Sequence, residues 1–105
     1  MSLADLTLEH FQPTLNQTWT IHLAPDGALP LVLISLQPLG QPPAVTSGLT
    51  RQGFSLVWRG PQQPVLPQHM YRLHHPDFAE PLDVFLVPLG SDRATPGMRY
   101  EAIFT

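Results

Sequence analysis

Five histidines, His10, His22, His69, His74 and His75, are the side chains of this chain best suited to chemistry. The last three stand close in sequence to Asp77 and Glu80 and form its densest titratable group. Imidazole nitrogens and carboxylates that converge tetrahedrally would hold zinc. Neighbouring residues of a strand point to opposite faces, so His74 and His75 cannot both join one such site. No cupin-like pairing of two histidines with a carboxylate occurs. Surface histidines beside a turn are the plainer reading of the group.

Nucleophilic chemistry finds less support. Cysteine is absent, which removes thiolate catalysis, thiolate metal sites and disulfides. Lysine is absent as well, so Schiff-base chemistry and P-loop phosphate binding are excluded. Gly53-Phe54-Ser55 runs into Leu56-Val57 and not into a nucleophile elbow. Eight scattered acids give no catalytic carboxylate pair. The expectation is a protein that is not an enzyme and uses no cofactor.

Arg59, Arg72 and Arg99 each fall in an apolar-alternating run, and Glu101 shares a face with Arg99. A solvent-face ion pair would contribute about 0–1 kcal/mol. The alternative is a binding face, because arginine and aromatic residues are enriched at interfaces. The arginines form no basic stripe and the net charge is −3, so nucleic acid is not an expected partner. Charged residues make up 12% of the chain, far below the ordinary share, which suits either a simply neutral surface or one partly covered by another chain.

These residues must be positioned by short elements, because thirteen prolines interrupt the chain. Proline fixes φ and lacks an N–H, so it marks where helices and central strands stop. Thr7 to Leu15 reads as a helix of about two turns, cut by Pro13, whose Leu8, Phe11 and Leu15 would plug an open sheet end. Alternation predicts strands at Gln17–Leu23, Phe54–Arg59, Met70–His75, Leu82–Val87 and Met98–Phe104. Leu29–Gln37 completes six, and its run Leu31-Val32-Leu33-Ile34 predicts a strand covered on both faces. Pro25-Asp26-Gly27 is a turn signal, and Pro38–Gln52 and Gly90–Gly97 are loops. Pro76 and Pro88 end strands, and Pro30 marks a strand start or an edge.

The whole pattern predicts one domain over residues 1–105, all-β and mainly antiparallel. A small six-stranded, partly open barrel with one short N-terminal helix is the first choice, and a sandwich the second. Trp19 and Trp58 should be buried. No positively charged leader or membrane-length apolar segment occurs, so the expected location is cytoplasmic or within a phage-like particle.

The candidate partner-binding residues are Pro61, Pro64, Val65, Leu66, Pro67 and Phe78. The proline series builds a stiff, uncharged loop in which Val65 and Leu66 are expected to tuck onto the core. Phe78 lies in a turn between Pro76 and Pro81, either exposed to a partner or folded back over the barrel end. A protein partner or a second copy is therefore the expected ligand, with no membrane. The alternative is a small-ligand or metal-binding β-barrel using His69 to Glu80.

The order of motifs also carries a resemblance. Leu6-Thr7-Leu8-Glu9-His10-Phe11 and Thr18-Trp19-Thr20-Ile21-His22-Leu23 open the chain. Phe54-Ser55-Leu56-Val57-Trp58-Arg59-Gly60-Pro61 and Tyr71-Arg72-Leu73-His74-His75-Pro76 follow. Phe85-Leu86-Val87-Pro88-Leu89-Gly90 and Gly97-Met98-Arg99-Tyr100-Glu101-Ala102-Ile103-Phe104 close it. This order resembles domain of unknown function 6916, a family of small bacterial proteins with no assigned reaction. The resemblance implies an accessory or assembly role beside phage-tail-like fibre proteins.

Overall fold

The computed structural model describes residues 6–23, 27–39, 53–91 and 97–104. Strands β1 (Thr18–Leu23), β2 (Gly27–Pro38), β3 (Phe54–Gly60), β4 (His69–His74), β5 (Leu82–Ser91) and β6 (Met98–Phe104) are joined antiparallel. They form a closed barrel in the order β1-β2-β3-β6-β5-β4. Closure comes from β1 pairing with β4, Ile21 opposite Leu73. The expected barrel is present, and its ring is complete.

Alternation fills the interior. Trp19, Ile21, Leu31, Leu33, Leu56, Trp58, Leu73, Leu86 and Tyr100 all point inward and are buried. Trp19 and Trp58 meet edge to face, 5.7 Å between centroids, the geometry that aromatic quadrupoles favour.

One end is stoppered by the N-terminal segment. Helix α1 (Leu8–Phe11) starts at Thr7, whose backbone N–H donates to His10 Nδ1 at 2.8 Å. His10 thus takes the place of the usual acid in a capping box. The Glu9 carboxyl is held below the usual carboxylate range by a backbone hydrogen bond, and secondarily by the Thr7 hydroxyl. The helix is shorter than the spacing predicts, because Pro13 turns the chain into a 3₁₀ segment, Gln12–Thr14. The stopper is Leu6 and Phe11, whereas Leu15 stays exposed. Asn16 then adopts φ 67°, a left-handed conformation that Asn tolerates.

Three further expectations change. Leu31–Ile34 is not covered on both faces: Leu31 and Leu33 are buried, Val32 and Ile34 only partly. The β2–β3 register shifts between Leu33 and Ser35, so Ile34 is the extra residue of a bulge. Pro30 lies inside β2, not at its start, where β2 pairs with β1 but not yet with β3. A missing N–H is tolerated on that local edge. Pro88 does not end β5, which runs on to Ser91 through a register shift between Pro88 and Gly90. The turn at Pro25-Asp26-Gly27 and the loops at Pro38–Gln52 and Gly90–Gly97 lie largely outside the described residues.

Candidate functional site

The barrel's outer surface is uneven. Residues of β1 and the C-terminal half of β4 present Thr18, Thr20, His22, Arg72 and His74. Arg72 Nε donates to Asp83 on β5 at 3.1 Å, a pair open to solvent. The other wall is apolar. Met70 on β4 is the direct partner of Phe85 on β5. Val87 pairs with Glu101, which puts Phe85 and Ile103 on the same face two residues further along. Met70, Phe85 and Ile103 are 52%, 45% and 60% exposed. Val57 and Val87 adjoin them, both partly buried. Among the described residues Glu101 is the charge between the stripe and a pair of arginines, Arg59 and Arg99, opposite each other on β3 and β6.

The proline loop closes the barrel end away from α1. Two tyrosines fasten it. The inward Tyr100 hydroxyl accepts the Leu66 N–H at 2.9 Å, and the Tyr71 hydroxyl donates to Pro67 O at 2.6 Å. Desolvation raises the Tyr71 phenol above the ordinary tyrosine range, with Tyr100 adding to it. Of the pair expected to tuck inward, only Leu66 does; Val65 is 54% exposed. The bond from the Leu66 N–H to Tyr100 holds the loop at that residue, with Leu66 buried and Val65 outside. Pro64 and Pro67 are exposed and Pro61 is partly buried. Beside them Gln62, Gln63, Val65, Ser91 and Met98 line a shallow hollow of about 340 Å³.

Phe78 folds back over the opposite end and is partly buried. Its ring lies 5.0 Å from Trp19 and 5.3 Å from Phe11. The sequence placed His75 on the surface; it is instead 4% exposed. Its Nδ1 accepts the Asp77 N–H at 3.0 Å and its Nε2 bonds Gln17 Oε1 at 2.7 Å. Alternation turns His75 inward after Leu73, and a Gln side chain absent from the sequence argument satisfies it. His69 is at the other end of β4, opposite Leu86, about 17 Å along the strand from His74. His69 therefore does not meet Asp77 or Glu80. Among the described residues no three His, Asp or Glu side chains are grouped to hold a metal. Next to Phe78 lies a pocket of about 260 Å³, with Leu6, Phe78 and Leu82 as apolar lining and His10, Asp77 and Glu80 as polar lining.

The sequence pattern of a domain of unknown function, DUF6916, matches residues 6–104. The chain belongs to this family. The match spans every strand of the barrel, so the fold described is that of the domain itself. No curated protein and no solved structure matches the chain. No helix among the described residues is long and apolar enough to cross a membrane.

Proposed function

We propose that this DUF6916 domain is a non-enzymatic interaction module that docks a protein partner, or a second copy of itself, through its apolar wall. The exposed stripe Met70, Phe85 and Ile103 carries the reading. Contiguous exposed apolar groups mark contact surfaces, and a closed barrel offers no strand edge for pairing. Contact must then be made face to face. The rigid loop at Pro61, Pro64, Val65 and Pro67 adds a second, uncharged contact at one end. Leu66 serves that loop as its anchor and Phe78 belongs to the plug, so neither is offered as a contact. The family resemblance suggests phage-tail-like fibre proteins as the partner class, in the cytoplasm or in a phage-like particle.

Site-specific photo-cross-linking tests this. A photoreactive phenylalanine analogue at position 85 should give a discrete adduct in host cells, and the same group at position 22 should not. Light scattering of the purified protein tells self-association from a foreign partner. A monomer with no adduct from position 85 overturns the reading.

A second reading is a small-ligand site, favoured by the pocket between Phe78 and Glu80. A neutral or cationic ligand with a small apolar body fits its lining. Thermal-shift screening should then find compounds whose effect is lost in Glu80→Gln; a screen without such compounds removes it.

A further inference from the structure

We propose that Arg59 and Arg99 form a carboxylate clamp at one end of the apolar wall, receiving an acidic side chain of a protein partner. The inference rests on the docking reading of that wall.

The register of β3 and β6 sets Arg59 directly opposite Arg99. Like charges placed so are disfavoured. Among the described residues the ion pairs within 4.0 Å are Arg72–Asp83 and His75–Asp77, so neither arginine has a carboxylate. Glu101 shares their face, two residues along β6, and reaches neither. Arg99 Nε is buried and lacks any hydrogen-bond partner. An unmade charged hydrogen bond is costly. Both side chains are only partly buried, so one carboxylate held between them would relieve the like-charge pairing.

The surroundings suit such a guest. Gly97 has φ 122°, and a Cβ there would stand 2.5 Å from Gly60 O and 3.0 Å from Arg59 Cγ. The Arg59 stem therefore lies flat on a glycine and is pre-positioned. Gly90, the partner of Arg99 on β5, bears no side chain, and a Cβ added there would meet nothing within 4 Å. Among the described residues nothing fills the space beside Arg99 on that side. Two guanidinium forks match a carboxylate in bidentate geometry. Among the described residues Glu101 is the remaining charge facing the pair, and it disfavours the double charge concentrated on one phosphate more than the single charge of one carboxylate end. Ile103 lies about 13 Å further along β6, so the partner's acid should flank an apolar patch at that separation.

The arginine Nε–Hε resonances of the full chain report binding directly. Glutarate is the probe, its neutral diamide the control and inorganic phosphate the competitor. Glutarate should move the Arg99 Nε–Hε signal saturably, and the diamide should not. Arg59→Gln and Arg99→Gln should each weaken glutarate by about tenfold or more while the backbone amide spectrum stays folded. Phe85→Ser should leave glutarate binding unchanged. Equal shifts from the diamide, tighter binding of phosphate, or full affinity in Arg59→Gln would overturn the clamp. A clamp that binds glutarate beside a wall that gives no cross-link would instead overturn the docking reading alone.

Discussion

The two sides of the barrel share one interior and differ in what they show to water. The side built from β1 and the end of β4 presents threonines, histidines and the Arg72–Asp83 pair. The side built from the start of β4 with β5, β6 and β3 presents Met70, Phe85 and Ile103, with two arginines that lack counter-charges among the described residues. Both sides obey the same alternation, so folding alone does not require the difference. A strand needs apolar residues on its inner face only. Large apolar groups on the outer face add nothing to the core and invite association.

The interior should respond the same way from either side. Trp19 stands on β1 beneath the polar wall and Trp58 on β3 beneath the apolar one, and they touch. Replacing either by Ala should cost about 3–5 kcal/mol, read by urea denaturation; a large gap between the two losses would mean the walls do not share one core.

The loop fastening comes next in size. Tyr100→Phe leaves the buried Leu66 N–H without its acceptor and should cost about 1–3 kcal/mol. Faster amide exchange at Leu66, with the β1–β2 amides unchanged, would localise the loss to the loop end. An unchanged rate at Leu66 would show that the hydroxyl is not what holds the loop.

The walls themselves should separate cleanly. Phe85→Ser and Ile103→Ser are expected within about 0.5 kcal/mol of the parent in stability, yet should abolish association seen by light scattering or cross-linking. Arg72→Ala on the polar side should change stability by no more than about 1 kcal/mol and leave association intact. Equal effects on association from both walls would break the comparison.

The smallest effect is electrostatic. The Tyr71 phenol is raised by desolvation, so the folded state holds its proton more tightly than the unfolded state does. Its contribution to stability is present below the ordinary tyrosine range and fades as pH climbs through the raised value. Ultraviolet difference titration of the parent against Tyr71→Phe should show the Tyr71 phenol ionising above the ordinary tyrosine range; a difference step within that range would contradict it.

Much of this molecule is legible from alternation. Trp19-x-Ile21, Phe54-x-Leu56-x-Trp58 and Tyr100-x-Ala102-x-Phe104 each repeat every second residue, and each proves to be an inner face. The same pattern turns Ile103 outward, but it does not show that Phe85 is outward too or that the two share a face. That adjacency needs the β5–β6 register. The proline loop was visible as a stiff segment, whereas the division between Val65 and Leu66 depends on Tyr100, thirty-four residues away. His75 was misplaced for a similar reason, because its partner Gln17 is fifty-eight residues distant.

The sequence by itself determined the strand positions, the inner faces of β1, β3 and β6, the burial of both tryptophans and the absence of thiol and lysine chemistry. These follow from local rules: period-two patterning, the fixed φ of proline and residue chemistry. Tertiary structure alone decided that the ring closes, that β2 and β5 carry bulges which absorb Ile34 and carry β5 past Pro88, and that Arg59 faces Arg99. Those outcomes depend on which strands pair and in what register, and register is a property of two segments together.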